Sequence, residues 1–175
     1  DLMARWQLYT ALRVSELLRL TAAVLAKATA AARRQRSHQT IDVMRKGRKS
    51  GCVIAPVSLL DETAGYLATH RRAWLARTPL ERGAAPTALF INSRGRPVSK
   101  NHYQQVIHRA GQACGFRATT HLLRASFACM MLARLEQLAG QNAAVNPLLI
   151  VKVLMAHEHI ETTDRYLRAI AVDHA

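Results

Sequence analysis

The last third of the chain contains four residues whose types and order suit chemistry at a phosphodiester. His121 and Arg124 form an H-x-x-R pair, His157 and Tyr166 form an H-x8-Y pair, and Arg13 lies far upstream in the segment TALRVSELL. Arginine can neutralise a non-bridging phosphate oxygen, histidine can hydrogen-bond that oxygen or move a proton, and a tyrosyl oxygen can attack phosphorus. The combination therefore predicts a site that acts on phosphodiesters.

Each of these residues has a plainer explanation when it is considered alone. A tyrosine on a terminal helix usually packs, and a histidine that follows an apolar helix usually interacts with the helix C-terminus. Arg13 is more informative, because a fixed charge among Leu and Val side chains requires a partner. The prediction depends on the whole set occurring in this order.

The net charge predicts a polyanionic partner. Lysines and arginines outnumber aspartates and glutamates by 25 to 11, which gives a formal net charge of +14. A small globular domain usually has a smaller imbalance, although solubility alone can also explain such an excess. A membrane surface is disfavoured, because the sequence contains no basic amphipathic terminal helix and no lipidation motif.

Length and composition predict one mainly helical domain. A chain of 175 residues can bury a hydrophobic core without disulfides, and its abundance of Ala and Leu favours helices. The three cysteines, Cys52, Cys114 and Cys129, are far apart, so we expect buried thiols of a reducing compartment rather than a disulfide framework or a zinc site. No signal peptide or membrane-length apolar run occurs, which favours a cytoplasmic, nucleoid-associated protein.

Local patterns predict the elements that position the candidate residues. We expect a helix over Leu2–Thr10, a short helix capped by Ser15, and a hairpin formed by Thr40–Arg45 and Cys52–Val57. A long helix opens at Ser58 in a pattern that resembles a capping box.

The second half is predicted to alternate short turns with helices. Leu89–Asn92 is expected to form a short strand, followed by a helix that Ser99 caps and that stops at Gly115. Thr119 or Thr120 caps the helix that carries His121 and Arg124 on one face. Asn146 and Pro147 begin an apolar helix that ends just before His157, and a final helix presents Tyr166.

The sequence resembles the tyrosine recombinases, the family of phage and transposon integrases and chromosome-dimer resolvases. TALRVSELLRL is similar to the first arginine box of that family, MRKGRKSG to its lysine turn, THLLRASFA to its H-x-x-R box, and LMAHEHIETTDRYLRA to its H-x8-Y box. The resemblance covers nearly the whole chain. It implies an α+β, mainly α-helical catalytic domain with a small antiparallel hairpin over residues 1–175, without the upstream core-binding domain of the family.

The chain departs from the family pattern at several small residues. Ala11 and Ala156 occupy positions where the family usually has glycine, and Ala125 occupies one where it commonly has histidine. The lysine of the family matches Lys46, whereas the long spacing to the following proline leaves Lys49 open as the alternative.

The resemblance implies an enzyme that cuts and rejoins DNA strands. Tyr166 would attack a DNA phosphodiester, form a 3′-phosphotyrosine and release a 5′-hydroxyl. Arg13 and Arg124 would neutralise the non-bridging oxygens, and His157 would hydrogen-bond the same phosphate.

The resemblance also assigns the proton transfers. Lys46 is the expected general acid for the departing 5′-oxygen, and His121 would assist proton transfer at Tyr166. No metal or other cofactor is implied, because Arg13 and Arg124 supply the positive charge that a metal ion would otherwise provide.

Double-stranded DNA is the expected partner, bound by a homo-oligomer that forms a tetrameric synapse. Basic side chains would contact backbone phosphates and give salt-sensitive binding. The candidates are Arg33, Arg34, Arg36, Lys49, Arg94, Arg96 and Lys100.

Three other interpretations remain open at this point. The chain could be a non-catalytic DNA-binding relative of the recombinases, although the presence of Tyr166 and both arginines argues against it. It could bind nucleic acid without belonging to the family, or it could use the same tyrosine chemistry to relax supercoils.

Overall fold

The computed structural model describes residues 1–26, 37–45, 47, 49–77, 86–140 and 146–156. Helices dominate this part of the chain, and residues 22–26 add a short helical stretch. We number the other elements in chain order: α1 Leu2–Thr10, α2 Val14–Leu17, β1 His38–Met44, β2 Ser50–Pro56, α3 Val57–Tyr66, α4 Arg72–Arg77, α5 Lys100–Ala113, α6 Thr120–Ala139 and α7 Pro147–Met155. A π-helical turn, Leu67–Arg71, joins α3 to α4.

Strands β1 and β2 form the predicted antiparallel hairpin. Their register pairs His38 with Pro56 at one end and Met44 with Ser50 at the other. Burial alternates along both strands, because successive side chains of a strand point to opposite faces. The buried face packs on the helices, while the other face stays exposed. The small sheet among the described residues therefore agrees with the predicted α+β, mainly helical class.

Three predicted helix starts are confirmed by their capping contacts. The side chains of Ser99, Thr119 and Asn146 each accept a hydrogen bond from the backbone N–H three residues later, at 3.2, 3.0 and 3.1 Å. These bonds satisfy N–H groups that have no partner within the helix. The caps therefore fix where α5, α6 and α7 begin.

Three local predictions are wrong. Ser58 does not open α3 with a capping box: the helix begins at Val57 and no side chain caps it. Helix α2 is not capped by Ser15: it begins at Val14, and the Glu16 carboxylate accepts the Arg13 backbone N–H at 2.9 Å. The expected strand Leu89–Asn92 is reduced to a single bridge between Ile91 and Pro97, because a turn reverses the chain after Asn92.

The core consists of two groups of buried side chains. The larger one lies among α1, α2, the hairpin, α3 and α5, and includes Trp6, Leu17 and Leu60. The smaller one lies mainly between α6 and α7 and contains Ala11, Phe127, Ala128, Leu135, Val151 and Met155. Ala11 belongs to the smaller group although it follows α1, so it joins the N-terminal helix to the α6–α7 pair.

A buried polar link connects α1 to α5. The Tyr103 hydroxyl donates a hydrogen bond to Gln7 Oε1 at 2.9 Å, and Gln7 Nε2 donates to the Leu12 carbonyl at 3.0 Å. Burial raises the pKa of Tyr103, which keeps its hydroxyl protonated and able to donate. Tyr103 therefore serves the fold.

The cysteine prediction is wrong in part. Cys52 and Cys114 are exposed, while Cys129 is half-buried and burial raises the pKa of its thiol. Cys52 lies on the exposed face of the hairpin and Cys114 at the end of α5. Among the described helices, none has the length and apolar character needed to span a membrane.

Two glycines on helices offer a matched test of the packing. A Cβ atom on Gly111 would lie 2.5 Å from the Ala118 backbone nitrogen and 2.8 Å from the Phe116 carbonyl oxygen, whereas one on Gly65 would meet nothing within 4 Å. We expect Gly111→Ala to destabilise the protein by about 1–3 kcal/mol through overpacking. Gly65→Ala should stabilise it by up to about 1 kcal/mol, because alanine favours the helix. Urea unfolding measures both; equal effects of the two variants would contradict this packing.

Candidate active site

Arg124 joins the ends of two helices from a buried position on α6. Its side chain donates one hydrogen bond to the Ala11 carbonyl, just after α1, and another to the Met155 carbonyl, the last residue of α7. Only 4% of the residue is exposed. These two acceptors fix the plane of the guanidinium group, because its donors form a rigid fork.

Arg13 also contacts the end of α7. Its side chain donates to the Ala156 carbonyl at 3.3 Å and to Glu16 Oε1 at 3.1 Å. The side chain is 32% exposed, so solvent and ligands can reach it. Arg13 is thus held by a carboxylate and a carbonyl while it remains accessible.

The fold brings the two predicted arginines together. Arg124 binds the carbonyl of Met155 and Arg13 binds that of Ala156, so their guanidinium groups meet at consecutive peptide units. Both positive charges therefore lie at the C-terminal end of α7, immediately before His157 in the chain.

The peptide units at this site have an unusual backbone conformation. Ala11 and Ala156 both adopt the left-handed region, with φ values of 55° and 48°, and each ends a helix. This conformation costs a residue with a side chain roughly 1 kcal/mol, whereas glycine adopts it freely. This requirement favours glycine at both positions, so the surrounding structure must hold the two alanines of this chain in their turns.

Glu16 is a site residue that the sequence analysis missed. Its side chain is completely buried and accepts hydrogen bonds from the backbone N–H and the side chain of Arg13. Arg45 also contacts it, with 3.4 Å between Arg45 Nη1 and Glu16 Oε2. The spacing R-x-x-E was the available signal, because an acidic residue at the third position of a helix can accept the N–H of the preceding cap residue.

His121 lies in the first turn of α6, on the same face as Arg124. The pKa of His121 is lowered from 6.5, first by the packing of the protein around the ring and second by the charge of Arg124. The neutral imidazole is therefore favoured near neutral pH. In that form the ring can accept a proton.

A separate turn carries two of the predicted phosphate contacts. The Asn92 side chain accepts hydrogen bonds from the backbone N–H groups of Arg94 and Arg96 at 3.0 and 3.1 Å, which orders the turn and leaves both arginine side chains exposed. Lys100 is exposed at the start of α5, and Lys49 is exposed at the hairpin turn. These four cations lie on elements other than those that hold Arg13 and Arg124.

Six predicted site residues lie outside the described residues. They are Arg33, Arg34, Arg36, Lys46, His157 and Tyr166. Their assigned roles therefore stay predictions, as does the choice between Lys46 and Lys49.

The sequence matches a known family over nearly its whole length. The sequence model of the phage integrase family covers residues 1–171. The chain belongs to the phage integrase family. Tyrosine recombinase XerC of Halalkalibacterium halodurans is 30% identical to it over 129 residues, which cover 73% of this chain and 39% of XerC.

Solved structures support the fold. The XerH site-specific recombinase in a post-cleavage complex with its difH substrate has a TM-score of 0.65 and 20% identity, covering 95% of this chain and 41% of XerH. XerA recombinase has a TM-score of 0.60 and 20% identity, covering 97% of this chain and 55% of XerA. The Tn1549 transposon integrase (residues 82–397) in complex with circular intermediate DNA has a TM-score of 0.61 and 17% identity, covering 99% of this chain and 57% of that solved chain. The chain spans about two fifths of XerC and XerH.

The lowered pKa of His121 predicts a pH-dependent stability. As the pH falls, His121 takes up a proton at a higher pH in the unfolded chain, where the pKa of histidine is about 6.5, than in the folded protein. The stability that neutral His121 contributes is therefore present above about pH 6.5 and is lost as the pH falls through the folded-state pKa. We expect His121→Gln to lose less unfolding free energy than the wild type between neutral and mildly acidic pH. Urea titrations at both pH values measure the unfolding free energy. Equal losses for the wild type and His121→Gln would contradict the lowered pKa of His121.

Proposed function

We propose that this chain is the DNA-cleaving domain of a site-specific recombinase that works through a 3′-phosphotyrosine intermediate. The observation that carries the proposal is the meeting of Arg13 and Arg124 at the carbonyls of Met155 and Ala156. Two fixed positive charges at one place suit a phosphate whose non-bridging oxygens gain negative charge during attack. Membership of the phage integrase family supports the same reaction.

The proposed reaction conserves the phosphodiester energy. The Tyr166 oxygen forms a bond to phosphorus while the bond from phosphorus to the 5′-oxygen breaks. The phenol proton passes to His121, whose lowered pKa favours the neutral, proton-accepting ring. Lys46, or alternatively Lys49, gives a proton to the departing 5′-oxygen. A 5′-hydroxyl from another strand can then attack the phosphotyrosine in the reverse reaction, which exchanges strands without ATP.

Arg13 and Arg124 are proposed to have different roles at the phosphate. Arg124 is almost fully buried and tied to two carbonyls, so it sets the position of the positive charge. Arg13 is partly exposed, so it can extend its remaining donors toward a non-bridging oxygen. His157, the next residue after the carbonyl that Arg13 binds, is proposed to hydrogen-bond the same phosphate.

Double-stranded DNA is the proposed substrate. The net charge of +14 favours a polyanion, and the exposed Arg94, Arg96 and Lys100 supply cations away from the paired arginines. XerH was solved with its difH substrate and the Tn1549 integrase with circular intermediate DNA. Exchange of strands between two sites is proposed to require several copies of the protein on DNA.

Covalent trapping tests this function with DNA of any sequence, so the target site need not be known. The protein is incubated with a pool of nicked duplexes whose central segment is randomised. Cleavage next to the nick releases a short fragment that carries the 5′-hydroxyl, so the reverse reaction is lost and the adduct accumulates. Adducts that survive denaturation are sequenced, and mass spectrometry identifies the modified residue. DNA binding without any adduct would favour a non-catalytic DNA-binding relative.

Tyr166 should be the residue that carries the DNA. We expect Tyr166→Phe to retain the DNA affinity of the wild type and to form no adduct, because the nucleophilic oxygen is absent. Tyr9→Phe is the matched control: Tyr9 is exposed on α1 and its variant should form adduct at the rate of the wild type. Adduct formed by Tyr166→Phe would remove Tyr166 from its proposed role.

Arg124 should be far less replaceable than a second arginine on the same helix. Lysine keeps the positive charge, but it lacks the planar pair of donor nitrogens with which Arg124 binds the Ala11 and Met155 carbonyls at the same time. We expect Arg124→Lys to slow adduct formation by about 100-fold or more, the loss typical of a preorganised donor to transition-state charge. The control Arg134→Lys changes an exposed residue of α6 that contacts only Gln137 in the described hydrogen bonds, and it should leave the rate unchanged. Near-normal cleavage by Arg124→Lys would contradict the proposed role of Arg124 at the phosphate.

A further inference from the structure

Arg45 is a largely buried cation that the proposed reaction does not use. It directly follows β1, and its backbone N–H donates to the Lys49 carbonyl at 2.8 Å, which closes the hairpin turn. Its side chain turns inward and is only 12% exposed. An arginine at a hairpin turn would normally extend into solvent, so its inward position requires partners.

Two partners hold the Arg45 side chain. Nη2 donates to the Cys52 carbonyl at 2.7 Å, and Nη1 lies 3.4 Å from Glu16 Oε2. The aliphatic part of the side chain crosses Gly51, where an added Cβ would lie 2.9 Å from Arg45 Cγ and 3.2 Å from Nε. The absence of a side chain at position 51 is therefore what lets Arg45 reach Glu16.

Glu16 thus faces two guanidinium groups. Oε1 accepts from Arg13 at 3.1 Å, while Oε2 accepts the Arg13 backbone N–H and contacts Arg45. A carboxylate paired with Arg13 alone would cancel the charge of Arg13. With Arg45 included, the three side chains carry two positive charges and one negative charge, so a net positive charge remains on the partly exposed side of the cluster, at Arg13.

We propose that Arg45 is a positioning residue for Arg13: it neutralises and holds Glu16, so that Arg13 keeps a fixed orientation and an uncancelled charge for the DNA phosphate. This inference rests on the proposed function, because it assigns Arg13 to the phosphate. The contact also joins the hairpin to the arginine pair. The hairpin turn that Arg45 and Lys49 close is thereby anchored to Glu16, which holds Arg13.

The test uses a DNA sequence identified by covalent trapping, prepared in two forms that differ at the phosphate to be cleaved. One substrate has the normal phosphate, and the other has a methylphosphonate, in which a methyl group replaces one non-bridging oxygen and removes the negative charge. On the normal substrate, Arg45→Ala should slow adduct formation by roughly 10- to 100-fold, the range for loss of an outer partner that orients a charged ligand group. On the methylphosphonate the deficit should shrink, because the charge of Arg13 has less to neutralise. Arg45→Lys should recover part of the lost rate on the normal substrate.

Two further variants separate positioning from general effects of charge and folding. Arg5→Ala removes the same charge from an exposed ion pair with Glu62 and should cleave both substrates at the rate of the wild type. Gly51→Ala keeps the charge of Arg45 but displaces its side chain, so it should slow adduct formation as Arg45→Ala does. It therefore tests the same role of Arg45 even if the Arg45→Ala variant fails to fold.

Each outcome decides between the two proposals. Arg45→Ala and Gly51→Ala variants that cleave as fast as Arg5→Ala would overturn the role of Arg45 and leave the proposed function intact. An equal deficit on both substrates would also overturn it, since a merely structural role slows both reactions alike. A wild-type protein that forms no adduct with any duplex of the pool would overturn the proposed function, and the role of Arg45 with it.

Discussion

Hydrogen bonds from two arginines to the carbonyl ends of two helices are the interaction on which the rest of the structure depends. The last carbonyls of a helix have no partner within it, and here α1 and α7 both end at a left-handed alanine. Arg124 binds the carbonyls of Ala11 and Met155, and Arg13 binds that of Ala156. The charges proposed to bind phosphate are thus also the groups that complete two helix ends. Their positions cannot change without disturbing the packing of α1, α6 and α7.

The same arrangement explains why two arginines of one site differ so much in exposure. Arg124 lies beneath the junction of the helix ends and is surrounded by protein. Arg13 lies at its edge, where Glu16 holds it from within the core and one side remains open. A buried carboxylate is unfavourable unless several donors satisfy it, and Glu16 has donors from both Arg13 and Arg45. Burying Glu16 therefore ties the hairpin and α2 together through charge as well as through apolar packing.

Sequence reasoning succeeded where the determining interactions are local. The starts of α5, α6 and α7 follow from Ser99, Thr119 and Asn146, each of which bonds a backbone group three residues away. It missed contacts between residues that are distant in the chain. The contact between Glu16 and Arg45 joins positions 29 residues apart and has no periodic signature. Local predictions failed as well where other local contacts were formed instead. Glu16 rather than Ser15 accepts the N–H at the start of α2, and the turn after Asn92 reduces the expected strand Leu89–Asn92 to a single bridge. The pairing of Arg13 with Arg124 was inferred from a family resemblance, since local patterns do not bring them together.

The two left-handed alanines show how strain and charge are coupled at this site. Each conformation is unfavourable by roughly 1 kcal/mol for alanine relative to glycine, so the surrounding structure must hold it. Ala11 is fully buried in the cluster that includes Val151 and Met155, and that packing holds one turn. Ala156 is only partly buried, so its turn relies more on the hydrogen bond from Arg13. Arg13 in turn contacts Glu16, and Glu16 contacts Arg45, so the end of α7 is linked to the hairpin through a series of charged side chains.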